Sequence, residues 1–95
     1  MYARVFTTHL KAGKGDETVA LWRDKVAPIA KKSKGFKGAY LIGDKETGKG
    51  LTITMWETKE DADAMDASLP QIMPLFEGMW EKQPTQETFE VLLQV

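Results

Sequence analysis

The chain has 95 residues, of which 42% are hydrophobic and 28% charged, with a net charge of −1 and no cysteine. This composition predicts one globular domain over residues 1–95, and the charge argues against nucleic acid as a primary partner, because phosphate binding needs a basic surplus. The lack of cysteine excludes disulfides, thiolate nucleophiles and Cys-based metal sites. No apolar run approaches the roughly 20 residues of a membrane span, so no membrane association is expected. The stretch MYARVFTTHL lacks the features of a secretory signal, which makes the cytoplasm the expected location.

The first half of the chain predicts a strand followed by a helix. Residues 2–11 are rich in β-branched and aromatic residues and read as a strand. A helix is predicted from about Asp16 to Ser33. Its apolar residues recur at steps of three and four and form one stripe: Val19, Trp22, Val26 and Ile29. Pro28 should kink or shorten this helix, and Gly35 is the predicted left-handed residue after its end.

The second half predicts a hairpin, a broken helix and a last strand. GFKGAYLIGD and LTITMWE read as strands two and three, joined by the polar turn DKETGKG. Thr58, followed by Asp61, predicts a helix N-cap with an acidic first turn. A second start signal at Ser68–Gln71 predicts that this helix breaks and re-forms, and TFEVLLQV reads as the final strand. The order β-α-β-β-α-β predicts an α+β, ferredoxin-like fold, a four-stranded antiparallel sheet with both helices on one face.

Strands two and three are apolar on both sides, which predicts a partner. Side chains alternate along a strand, so strand three should place Thr52, Thr54 and Trp56 on one side. Its other side carries Leu51, Ile53 and Met55. In strand two, the same alternation predicts Phe36, Tyr40 and Ile42 on one side, with Ala39 and Leu41 on the other. Two helices cover only one face, so we expect a two-fold homodimer to cover the second, a bare apolar face being prone to aggregate.

One stretch of the sequence resembles a known family. KGFKGAYLIGDKETGKGLTITMWETKEDADAM resembles the antibiotic biosynthesis monooxygenase family, within the dimeric α+β barrel group. The shared features are Gly35-Phe36 near the start of strand two, a short hairpin, and an apolar strand that ends in Trp56-Glu57-Thr58 before a helix. The element order matches along nearly the whole chain.

This resemblance implies a pocket in each subunit of a dimer, between the sheet and its own helices. Some members oxidise polycyclic phenols to quinones with dioxygen and no metal or flavin, and others degrade haem. Trp56 matches a pocket tryptophan of the quinone-forming branch, whereas Thr52 and Ala62 replace an Asn and a Tyr of that branch. Phe6, Met65 and Leu75 stand where the haem-degrading branch has Asn, Trp and His, so a haem role is disfavoured.

The candidate site residues follow from these faces. Trp56 would stack on a planar substrate while Thr52 or Thr54 orients a phenolic oxygen, although packing of Trp56 in the core is the alternative. His9 is the candidate base, because it is the chain's one histidine. By parity it lies opposite Phe6, and a purely structural role is its alternative. The predicted substrate-binding residues are Thr52, Thr54, Phe6, Met65 and Phe76, with flexible core filling as the alternative for the methionines.

We expect neither a metal nor a cofactor. The acidic residues of KEDADAMD spread over more than one helix face and indicate a solvated surface. The leading hypothesis is a cofactor-independent monooxygenase for a small planar aromatic substrate of the phenol or hydroquinone kind. The alternatives are a non-catalytic dimer that binds a small apolar ligand and a purely structural dimer whose pocket is too small for any ligand.

Overall fold

A computed structural model describes all 95 residues. Its four strands are β1 (Tyr2–His9), β2 (Phe36–Gly43), β3 (Lys49–Trp56) and β4 (Thr85–Glu90). They form one antiparallel sheet in the order β2-β3-β1-β4. The predicted α+β, ferredoxin-like architecture is confirmed, with β1 and β3 at the centre of the sheet.

The first helical segment contains a widened turn. It consists of α1 (Gly15–Leu21), a π-helical turn (Trp22–Val26) and α2 (Ala27–Lys32). The N–H of Ala27 donates to the carbonyl of Trp22, five residues earlier. Pro28 follows at once, and its ring would clash with a carbonyl four residues earlier in a regular α-helix. The predicted distortion at Pro28 thus takes the form of a π turn, which is frequent at functional sites.

The second helical segment is broken into four short pieces. They are α3 (Lys59–Ala64), a 3₁₀ turn (Met65–Ser68), α4 (Leu69–Ile72) and a second 3₁₀ turn (Met73–Phe76). The hydroxyl of Thr58 accepts a hydrogen bond from the N–H of Asp61 at 3.1 Å, which confirms the predicted N-cap. The predicted break before Pro70 is also confirmed. No helix of the chain combines the length and apolar character needed to cross a membrane.

The pairing register fixes which side chains face the helices. Phe6 lies opposite Thr52 and Arg4 opposite Thr54, so the even-numbered residues of both central strands share the helix-facing side. Tyr40 and Ile42 share one side, as predicted, and it is the side away from the helices, which we call the open face. The prediction for Phe36 was wrong. A bulge between Phe36 and Gly38 changes the register, and Phe36 packs against Trp56 on the helix-facing side.

The last strand is shorter and earlier than predicted. It ends at Glu90, and Val91–Val95 lie outside it. Glu90 pairs with Tyr2, the first residue of β1, so the central strand offers no further residues to pair with. The N–H of Val91 makes one last backbone hydrogen bond to Met1, and the tail beyond it is exposed.

The core lies entirely between the sheet and the two helical segments. Seven buried apolar residues form it: Val26, Ala30, Trp56, Ala62, Met65, Ile72 and Phe76. The open face contributes none of them. Tyr40, for example, is 64% exposed there.

Candidate functional site

A cavity lies between the helix-facing side of the sheet and the helical segments. Its floor is formed by side chains of the two central strands: Arg4, Phe6, Thr8, Thr52 and Thr54. Its walls and roof are mainly apolar and aromatic, with Trp22 and Val26 from the π turn and Met65, Ile72 and Phe76 from the broken segment. The volume open to the centres of water-sized molecules is about 80 Å³. One water needs roughly 10–15 Å³ by this measure, so the cavity has room for a small ring compound.

All five residues predicted to bind substrate line this one cavity. Thr52 and Thr54 come from the floor, as does Phe6, while Met65 and Phe76 come from the roof. The structure therefore brings together side chains from β1, β3 and both 3₁₀ turns. Their role in binding stays a prediction.

The threonines of the floor differ in how their hydroxyls are used. Thr54 accepts a hydrogen bond from the indole N–H of Trp56 at 2.8 Å, and Thr8 donates to the carbonyl of Gly50 at 3.4 Å. Thr52 has no side-chain partner in the protein. Its hydroxyl is thus available to a ligand, in a cavity that is otherwise mostly apolar.

The two residues predicted to be catalytic lie outside the cavity lining. Trp56 is completely buried and packs edge-to-face against Phe36, with ring centroids 5.4 Å apart. His9 pairs with Lys49 at the end of β1, with the parity of the open face. Trp56 does not reach the cavity but donates a hydrogen bond to Thr54, which lines it, whereas His9 is on the opposite side of the sheet. Their catalytic roles stay predictions.

Arg4 is a site residue that the sequence reasoning missed. It lines the cavity and is only 2% exposed. One terminal nitrogen, Nη1, donates to the carbonyl of Ala62 at 2.7 Å, and the other, Nη2, donates to Gln86 at 3.1 Å and to the carboxylate of Asp66. The signal was its even parity with Phe6, because a charged residue of a central strand that faces the helices must be buried and paired.

The remaining ionic groups lie away from the cavity lining. No group of three or more His, Cys, Asp or Glu side chains is placed to hold a metal ion. A hydrogen bond from Arg23 lowers the pKa of Asp24, but both side chains are exposed on the outer side of the π turn. The cavity lining contains one charged residue, Arg4, and no carboxylate.

No family model matches the sequence. The chain is 31% identical over 94 residues to two uncharacterized proteins of Mycobacterium tuberculosis, MT2634 and Rv2557, and the match covers 96% of this chain. It covers 41% of each relative, so the chain spans about two fifths of the length of the relatives that it matches.

Solved structures of the same fold match nearly the whole chain. A crystal structure of an antibiotic biosynthesis monooxygenase has a TM-score of 0.75 at 17% identity, covering 98% of this chain and all of that one. A monooxygenase from ActVA-Orf6 of Streptomyces coelicolor, in complex with nanaomycin D, has a TM-score of 0.75 at 16% identity. The match covers 99% of this chain and 89% of that one. The heme-degrader MhuD of M. tuberculosis, with two hemes in its active site, has a TM-score of 0.74 at 25% identity. The match covers 100% of this chain and 99% of that one. The chain has the fold of these proteins.

The cavity lining does not fit haem. It contains no imidazole, thiolate or phenolate side chain that could ligate the iron, and the one histidine lies on the other side of the sheet. A volume of about 80 Å³ is also far too small for a porphyrin. The fold is therefore shared with a haem-binding protein, but the side chains of this cavity are not suited to that ligand.

Proposed function

We propose that this chain, which has the fold of the antibiotic biosynthesis monooxygenases, binds a small planar aromatic compound between its sheet and its helices and oxidises it with dioxygen. The observation that carries the proposal is the cavity itself. Its walls are apolar and aromatic, and the floor offers a free hydroxyl on Thr52 and a buried cation on Arg4. Such a combination is typical of small-molecule sites, where a few polar groups orient an apolar ligand.

The proposed chemistry requires no acid, base or cofactor from the protein. An electron-rich substrate that ionises easily can transfer an electron to dioxygen itself, provided that it is oriented and kept from water. Oxidation of a hydroquinone to a quinone balances without an external reductant, since the two hydrogens and two electrons that leave its hydroxyl groups reduce O₂ to H₂O₂. In this scheme Phe6 and Phe76 confine the ring, and Thr52 donates to its oxygen substituent.

Oxygen uptake with a panel of hydroquinones and other single-ring phenols tests this proposal. We expect uptake above the buffer rate, reduced about tenfold in Thr52→Val, the loss expected when one hydrogen bond to an ionised oxygen is removed. Thr8→Val is the matched control, because the Thr8 hydroxyl is already bonded to Gly50. Uptake no faster than in buffer would refute the oxygenase, and equal uptake by the Thr52→Val protein would refute the role of Thr52.

The second candidate function is binding without turnover. It is favoured by the absence of any His, Lys, Tyr or carboxylate from the cavity lining, which leaves no side chain there to accept a proton near neutral pH. Native mass spectrometry of protein purified from its own host separates the two functions. A retained ligand with no oxygen uptake supports binding alone.

We also propose that a second copy of the chain covers the open face. Tyr40, Ile42 and Phe89 are each at least half exposed there, and β3 adds Ile53, with its one charged residue on that face, Lys49, at the end of the strand. A two-fold dimer covers an apolar patch with the same patch of another subunit, which needs no further partner. Light scattering should give twice the chain mass of 10.7 kDa. A mass near 10.7 kDa would contradict the dimer.

A further inference from the structure

We infer that the cavity binds its ligand through an ionised oxygen, a phenolate or a carboxylate, held by the Nε–H of Arg4 and the hydroxyl of Thr18. This inference rests on the proposal that the cavity binds a small aromatic compound, and it specifies which group of that compound is recognised. The sequence reasoning assigned neither residue to the site.

Two buried polar side-chain atoms in this chain have no hydrogen-bond partner in the protein, Arg4 Nε and Thr18 Oγ1. Both residues line the same cavity, one from β1 in its floor and the other from α1. Buried polar groups are nearly always paired, so each exception calls for an explanation. Both atoms are covered in the empty cavity, so a ligand oxygen would reach them only after the neighbouring side chains shift, and it would then give each a partner.

The guanidinium of Arg4 is already anchored at its far end. Its two terminal nitrogens donate to Ala62, Asp66 and Gln86, which fixes the plane of the group. A purely structural arginine would be satisfied by these partners. The remaining Nε–H has none, although the residue is 2% exposed, and the cavity is the free space that Arg4 borders. An arginine N–H donates most strongly to an ionised oxygen.

Thr18 lacks the partner that a helical threonine ordinarily finds. A threonine within a helix commonly donates to the carbonyl four residues earlier. The carbonyl of Lys14 accepts the backbone N–H of Thr18 at 3.0 Å, but the Thr18 hydroxyl makes no such bond. The hydroxyl is therefore left as a donor at the cavity, where it can complement Arg4.

The charge around the cavity also favours an anion. Arg4 carries a buried positive charge, and its one acidic partner is Asp66, which contacts the terminal nitrogen Nη2 and leaves the Nε side of the guanidinium without a carboxylate. The other groups on the guanidinium, Ala62 and Gln86, are neutral, and no carboxylate lines the cavity. A cation in such surroundings lowers the pKa of a bound phenol or carboxylic acid and so stabilises its ionised form.

The test uses two probes of the same shape, 4-nitrophenol and its methyl ether 4-nitroanisole. Ionised nitrophenol absorbs at longer wavelength than the neutral form, so its pKa in the complex is read directly. We expect the protein to lower that pKa and to bind nitrophenolate at least about tenfold more tightly than nitroanisole, the effect of one charge-assisted hydrogen bond. Competition by benzoate, with benzamide as its neutral match, tells whether a carboxylate is accepted as well.

Thr18→Val is the main variant because it removes the hydroxyl and leaves the contacts of Arg4 intact. It should weaken nitrophenolate binding several-fold and leave nitroanisole binding unchanged, and Arg4→Met, which removes the positive charge, should abolish the pKa shift. Thr8→Val is the matched control, since it lines the same cavity with a hydroxyl that is already bonded. Circular dichroism shows whether each variant folds, and the Thr18→Val result decides the test if the Arg4→Met protein does not fold.

The outcomes separate this inference from the function on which it rests. Equal affinity for the two probes, or a pKa shift that survives Thr18→Val and Arg4→Met, would overturn the oxyanion site but not the binding of an aromatic compound in the cavity. Binding of neither probe nor benzoate would overturn both. A lowered pKa that depends on both Arg4 and Thr18 supports the inference even if no oxygen is consumed.

Discussion

The indole N–H of Trp56 donates to the hydroxyl of Thr54 across 2.8 Å, and both side chains are buried on the helix-facing side of β3. Thr54 lines the cavity, whereas Trp56 packs behind it against Phe36. The tryptophan is thereby tied to the site through a neighbour on its own strand, because residues two apart on a strand share a face. Trp56 would therefore influence a ligand indirectly, by orienting the hydroxyl of Thr54.

This pair predicts a measurable coupling. Trp56→Phe removes the donor and part of a completely buried side chain, so we expect the free energy of unfolding to fall by about 2 to 4 kcal/mol. Thr54→Val removes the acceptor and leaves the indole N–H unpaired, at a cost of about 1 to 3 kcal/mol. Urea unfolding of both single variants and the double variant should give a coupling of about 1 kcal/mol. Strictly additive losses would show that the hydrogen bond contributes nothing.

The carboxylate of Asp66 should contribute more to the free energy of unfolding than its partly exposed position suggests. Asp66→Asn leaves the buried guanidinium of Arg4 without its acidic partner, so we expect a loss of about 1 to 3 kcal/mol in the free energy of unfolding. Asp63→Asn is the matched control, because Asp63 pairs with Lys59 on the same helical segment and both side chains are exposed. That variant should change stability by about 0.5 kcal/mol or less. Losses of equal size would refute a special role for Asp66.

Gly35 should be intolerant of any side chain. Its φ is 79°, and a Cβ there would collide with the carboxylate of Asp61. Gly13 has a similar φ of 77° with nothing within 4 Å of a built Cβ, so Gly13→Ala reports the backbone strain alone, about 1 to 2 kcal/mol. We expect Gly35→Ala to destabilise the protein more than Gly13→Ala in thermal unfolding. The comparison isolates the steric part, and equal losses would mean that Asp61 simply moves aside.

A charge on the open face should separate the proposed dimer. Ile42 is 52% exposed on β2, and a buried, unpaired carboxylate at a subunit interface is costly, so Ile42→Asp should give a folded monomer by light scattering. Val19→Asp is the matched control, because Val19 is 48% exposed on α1, away from the open face. It should leave the mass unchanged. An Ile42→Asp protein with the same mass as the wild type would show that this face is not the interface.

The sequence predicted the fold because its signals are local. The stripe of Val26 and its neighbours, the N-cap at Thr58 and the alternation along β3 each depend on a few adjacent residues. Period-two alternation placed Thr52 and Thr54 on one side, and both line the cavity. It failed for Phe36, because one extra residue in a bulge reverses the face of everything before it.

The sequence by itself determined the order of the elements, the helix-facing residues of β3 and the excess of apolar side chains on the sheet. Tertiary structure alone decided where the cavity ends. Packing placed Trp56 outside it, and the approach of Ala62 and Asp66 to β1 gave the buried guanidinium of Arg4 its hydrogen-bond partners. The physical reason is the distance along the chain between the residues that interact. Periodicity depends on neighbouring residues and shows only which side of a strand a side chain occupies. The burial and pairing of Arg4 depend on residues about sixty positions away.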